Sequence, residues 1–161
     1  MYRYIISISI AVFMLSGLVS CNRQQRDEMS LKVMSDEKAR KELAEAAETV
    51  NQSCPVNVDD KTTLVGVAFR GTKWTYYYIV AEDSVVRFDN DLFNENIKAG
   101  LKESTRKNVL ASSAMLTMLR ALIKVKSDLV YSYQGTESGH AIEVVFTYPE
   151  LRVMVDVMSN N

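Results

Sequence analysis

Two pairs of segments alternate in side-chain character with a period of two, and this constrains the fold more than any other feature of the chain. Thr63 to Phe69 and Trp74 to Val80 are rich in β-branched and aromatic residues and are separated by Arg70-Gly71-Thr72-Lys73, so they read as a β-hairpin. In its second strand Trp74, Tyr76, Tyr78 and Val80 share one face, and Thr75, Tyr77 and Ile79 the other. Alternation separates the two faces without saying which is buried. Leu129 to Tyr133 and Ala141 to Thr147 make a second such pair, in which Ile142, Val144 and Phe146 alternate with Glu143, Val145 and Thr147.

The segments around these pairs carry a helical period. Ala39, Leu43, Ala46, Ala47 and Val50 form one stripe, with Glu37, Lys38, Lys41, Glu42 and Glu45 on other faces. Ser35 is placed as an N-cap, Asp36 and Glu37 favour the positive end of the helix dipole, and Asn51-Gln52-Ser53 with Pro55 stops the helix. Asp89 and Asn90 cap a second helix carrying Phe93, Ile97 and Leu101. Ala111 to Lys124 carries a third stripe of Met115, Leu119, Leu122 and Ile123, with a break between Gly100 and Ser113. Tyr148-Pro149-Glu150 ends the second hairpin; beyond Leu151 the alternation of Val153, Val155 and Val157 suits a final strand. The order helix, β-hairpin, two helices, β-hairpin predicts a single α+β domain over residues 35–151, with a four-stranded antiparallel sheet and helices on one face, followed by a tail at 152–161.

The chain of 161 residues is 47% hydrophobic and has 19 basic against 20 acidic side chains. That balance lacks the basic excess that phosphate backbones attract, so nucleic acid is not an expected partner. Two Cys and one His are too few for a structural zinc site or a disulfide scaffold, and no cofactor is expected.

Residues 1 to 20 differ from the rest: Arg3 is their one charged side chain and Ile5 to Leu18 is an almost unbroken apolar run. As a helix that run is about 21 Å long, short of the ~30 Å hydrocarbon core, which identifies a signal peptide rather than a span. It ends in Leu18-Val19-Ser20-Cys21, which resembles the lipobox of bacterial lipoproteins. The resemblance implies cleavage before Cys21, lipidation there, and attachment to a membrane through acyl chains, each buried CH₂ contributing about 0.8 kcal/mol. Asn22 stands where aspartate favours inner-membrane retention in enterobacterial lipoproteins, so the expected address is the periplasmic side of the outer membrane. Residues 21–34 serve as the lipidated tether.

Asn51-Gln52-Ser53-Cys54-Pro55-Val56-Asn57-Val58-Asp59-Asp60-Lys61-Thr62-Thr63-Leu64 follows the pattern N-x-x-C-P-x-x-V-D-x-x-T-x-L. It resembles a group of small secreted and lipoprotein-like bacterial proteins, a likeness that covers about residues 37 to 151. The resemblance implies neither an activity nor a catalytic residue.

Candidate chemistry is sparse. Cys54 follows a helix C-terminus, whose partial negative charge disfavours a thiolate, so a buried small-hydrophobe role is expected ahead of a redox or nucleophilic one. His140, in the turn Gln134 to His140, suits a base or a solvated turn residue. Asp59, Asp60, Asp89 and Asp91 read as turn and cap residues rather than calcium ligands. Trp74, Tyr76, Tyr77 and Tyr78 would suit sugar or peptide stacking if exposed, and core packing otherwise. Asp83-Ser84-Val85 resembles a bacterial O-glycosylation sequon of the form D-S/T-apolar, which would make Ser84 a glycan site.

The leading expectation is a membrane-anchored envelope lipoprotein with a non-enzymatic binding or structural role toward a protein, peptide or glycan. The alternative is a small envelope enzyme or redox protein that uses Cys54, His140 or both.

Overall fold

The computed structural model describes residues 35–84, 86–89, 91–111 and 113–159. The expected signal peptide (1–20), Cys21 with the expected tether, and the expected cap Asn90 lie outside the described residues. Helix α1 spans Asp36–Asn51, and the Ser35 hydroxyl accepts the Lys38 N–H at its start at 3.2 Å. It buries Ala39, Leu43 and Ala47, while Ala46 of the expected stripe faces solvent. Strands β1 (Val56–Asn57), β2 (Thr62–Arg70) and β3 (Lys73–Val80) follow, then helices α2 (Asp91–Ala111) and α3 (Ser113–Lys124). Strands β4 (Asp128–Gly135) and β5 (Ala141–Phe146) precede helix α4 (Tyr148–Ser159).

The five strands form one sheet in the order β1-β2-β3-β4-β5. This corrects the expected four-stranded antiparallel sheet in two ways. The two-residue β1 adds an edge, and β3 pairs with β4 in parallel, with Tyr76 opposite Tyr131 and Tyr78 opposite Tyr133. Parallel pairing requires a long crossover, and here α2 and α3 supply it. The two hairpins are antiparallel as expected.

The valine-rich segment after Leu151 is a helix rather than a strand. Glu150 accepts the Thr147 N–H at 2.8 Å through Oε2, the reach-back half of a capping box. Leu151, Met154 and Val155, at helical spacing, are buried in the same core as the sheet. The alternation of Val153 and Val155 was therefore a coincidence of composition.

The covered sheet face settles which side of β3 is internal. Trp74, Tyr76, Tyr78 and Val80 join Leu129, Tyr131 and Tyr133 of β4, Ile142, Val144 and Phe146 of β5, and apolar residues of all four helices. Because β3 and β4 are in parallel register, their tyrosines stack across the strands: ring centroids lie 5.3 Å apart for Tyr76–Tyr131 and 4.9 Å for Tyr78–Tyr133, with planes 17° and 16° apart.

At the β2 edge, the Asn51 side-chain amide donates to the Val67 carbonyl at 2.8 Å and accepts the Val67 N–H at 2.7 Å. Gly66 admits this contact, since a Cβ there would stand 3.3 Å from Asn51 Oδ1. Arg40 ties the start of α1 to the far end of the sheet, donating to the carbonyls of Gly71 and Val125 at 2.8 and 2.9 Å.

Candidate functional site

Three of the four aromatics of β3 are internal. Trp74, Tyr76 and Tyr78 are buried and only the Tyr77 ring, 40% exposed, faces outward with Val65 and Ile79. A ligand cannot stack on the buried three without opening the core; of the two readings weighed from the sequence, their burial agrees with core packing. Burial pushes the Tyr76 hydroxyl up to about 12, and those of Tyr78, Tyr131 and Tyr133 rise for the same cause, so these phenols stay neutral. Tyr76 Oη lies 3.4 Å from Met118 Sδ. Tyr131 Oη is buried with no hydrogen-bond partner, an expensive state that marks shape rather than polarity as the reason for an aromatic there.

Cys54 sits just past α1, half-buried against the core, and burial pushes its thiol up. His140 is exposed; its N–H donates to Ser138 Oγ at 3.2 Å. Neither residue lines either of the two cavities described below. Ser84 is exposed between β3 and α2, in a turn where the Val86 N–H donates to Asp83 Oδ1 at 2.8 Å.

One carboxylate that carries no sequence motif organises that end of the molecule. Glu82, 7% exposed, accepts the N–H groups of Phe88 at 2.7 Å, Glu137 at 2.9 Å and Ser138 at 2.6 Å, and the Ser138 hydroxyl at 2.8 Å. Burial alone would raise its pKa, but donation from Ser138, Phe88 and Glu137 outweighs it and holds the group at about 2. Gly135 is required beside it, because a Cβ there would fall 2.4 Å from the carboxylate. Glu82 thus pins the 136–140 turn to the 83–89 loop, a structural role.

Two cavities stand out among the described residues. A polar one of about 610 Å³ lies where β1, β2 and β3 end, lined by Asn57, Asp59, Asp60, Lys61, Thr63 and Thr136 among others. Part of its charge is internally engaged: Asp59 Oδ1 accepts the N–H groups of Lys61 and Thr62 at 2.9 and 2.8 Å, and Lys61 pairs with Asp83, while Asp59 Oδ2 is buried with no hydrogen-bond partner. No cluster of His, Cys, Asp and Glu that could hold a metal ion occurs among the described residues.

The second cavity, about 540 Å³, is a groove between α2 and α4 over the end of β5. Phe146, Val153 and Met154 give it an apolar lining, and Val153, 64% exposed, is the most exposed large hydrophobic of the described residues. Lys102 spans one end. Its Nζ lies 2.6 Å from Glu150 Oε1 and 5.4 Å from the centre of the Phe146 ring. Glu150 is held on its other oxygen by the Thr147 N–H and hydroxyl at 2.8 and 2.9 Å. Burial opposes ionisation of Glu150, but donation from Lys102 and Thr147 prevails and keeps its pKa below the ordinary value. Arg106 and Glu103 complete the rim.

Sequence reasoning missed this groove because its walls come from segments about fifty residues apart. One local signal was present. Thr147-x-x-Glu150 before an apolar run marks a helix start, and a helix there turns Val153 and Met154 toward α2.

Among solved structures, the chain is similar to a protein from Pseudomonas aeruginosa assigned as secreted, with 14% identity and a TM-score of 0.53, over 73% of this chain and 96% of that one. It is more loosely similar to the type II secretion system pilotin AspS from Vibrio cholerae, with 8% identity and a TM-score of 0.45, over 80% of this chain and 99% of the pilotin. No family model and no curated protein matches the sequence. What the first likeness shows is a similar fold and nothing more; in this chain the described residues form one α+β domain of four helices on a five-stranded mixed sheet.

Proposed function

We propose that the chain is a lipid-anchored protein of the bacterial envelope, held by acyl chains on Cys21, whose domain is a non-enzymatic binding module that seats a protein partner in the α2–α4 groove. The observation that carries this is the groove itself: an apolar lining left open to solvent, with Val153 at 64% exposure beside the buried Phe146. Exposed apolar surface rimmed by charge marks interaction sites. The thiol of Cys54 lies outside the groove and is pushed up by burial, which favours its structural role over nucleophilic or redox chemistry. Among the described residues no helix is long and apolar enough to cross a membrane; on this reading the lipid on Cys21 makes the attachment.

Two measurements test the reading. Labelled palmitate should enter the wild-type protein and not Cys21→Ser; equal labelling of both would remove the anchor. A protein that co-purifies with the wild type from its own envelope should be lost about tenfold or more on Val153→Asp, as for truncation of a central anchor, and be retained on Tyr77→Ser. The reverse pattern would move the site to the open sheet face.

A further inference from the structure

Resting on that reading, we infer that the occupant of the groove is an amphipathic helix of the partner that carries a carboxylate within one turn of its apolar anchors, placed to pair with Arg106. The walls argue for a helix. Both are helices, and the sheet contributes Phe146 at the very end of β5, so an extended peptide would find no strand ladder along the groove for its backbone groups. A helix brings its own hydrogen bonds and needs only apolar contact. From Ala99 to Arg106 the α2 wall covers about 10 Å, two helical turns, which fits anchors at i, i+3 or i+4, and i+7.

The rim argues for the carboxylate. Each acidic group at the groove is already engaged: Glu150 with Lys102 and Thr147, and Glu103 with Lys107 at 3.4 Å. Lys102 is likewise held by Glu150 and the Phe146 ring. Arg106 is exposed and forms no ion pair among the described residues. The groove therefore presents one uncompensated positive charge beside an apolar floor, and its planar guanidinium suits bidentate pairing with a carboxylate. A basic helix would meet Arg106 as a like charge.

The test places a photo-crosslinking benzoylphenylalanine at Ala99, on the groove wall, or at Tyr77, on the open sheet face, in the full-length chain expressed in its own cell. A protein adduct should form from position 99 and not from 77. Arg106→Glu should lower its yield about tenfold while Arg106→Lys keeps most of it, with thermal melts of both variants unchanged. The crosslinked partner peptide should show helical apolar spacing with Asp or Glu within a turn. If a protein adduct forms at 99 but is indifferent to Arg106→Glu, or the peptide carries Lys or Arg there, the acidic-helix inference is overturned and the groove remains a docking site. If position 99 yields only lipid adducts or none, the docking reading itself falls.

Discussion

On one face of β3, Trp74, Tyr76 and Tyr78 are buried; one residue away on the other face, Tyr77 and Ile79 are 40% and 39% exposed. The side chains are of the same kind, so composition cannot account for their different surroundings. What differs is what the chain places over each face. The crossover from β3 to β4 and the helices α1 and α4 lie on one side, and the parallel register then sets tyrosine against tyrosine beneath them. A tyrosine in this protein is a core residue or a surface residue according to topology.

The largest effect expected from breaking this comparison is at the centre of the stack. Tyr131→Ala should cost about 3–5 kcal/mol, as for other large aromatic truncations in cores, whereas Tyr77→Ala should cost about 1 kcal/mol or less; urea denaturation of the two variants measures both. Comparable losses would mean that the open face is also covered in solution.

Next in size is the latch at the end of β3. Glu82→Gln loses the charge that four donors address and should destabilise by about 2–3 kcal/mol. Because the folded pKa is depressed to about 2 from a usual value near 4.5, the stabilisation is present above about pH 4.5 and is lost as pH falls from there toward 2. Acid titration of stability should therefore fall less steeply for the variant than for the wild type over that window. Parallel curves would show that another carboxylate controls the acid limb.

The smallest effect sharpens the comparison by a single atom. Tyr131→Phe removes a buried hydroxyl that has no partner and should leave stability unchanged or raise it by about 1 kcal/mol, while the aromatic near-ultraviolet signal persists. A loss on this substitution would reveal a buried hydrogen bond to that oxygen.

The legible and illegible parts of the molecule divide along the same line. Alternation marked β2 to β5 and helical stripes marked α1 to α3, because each pattern lies within a dozen neighbouring residues. The direction of β4 against β3 was not legible, since alternation in Tyr131 and Tyr133 is identical whichever way the strand runs; pairing with Tyr76 and Tyr78 decides it. Helix α4 was hidden because three valines at even spacing imitate a strand, while its capping residues Thr147 and Glu150 were in view. The groove and the Glu82 latch were beyond local reasoning. Lys102 meets Glu150, and Glu82 meets Ser138, only after the crossover has closed.

The pairing of Asn51 with Val67 has a consequence for self-association. Strand β1 covers only Thr63 and Leu64 of β2, which would leave the middle of a nine-residue strand as an open template for another chain. By taking both the N–H and the carbonyl of Val67, one side-chain amide occupies the site where an incoming strand would have to begin its ladder. The end of α1 thus acts as a guard against edge-to-edge aggregation, and it does so with a residue that belongs to no strand.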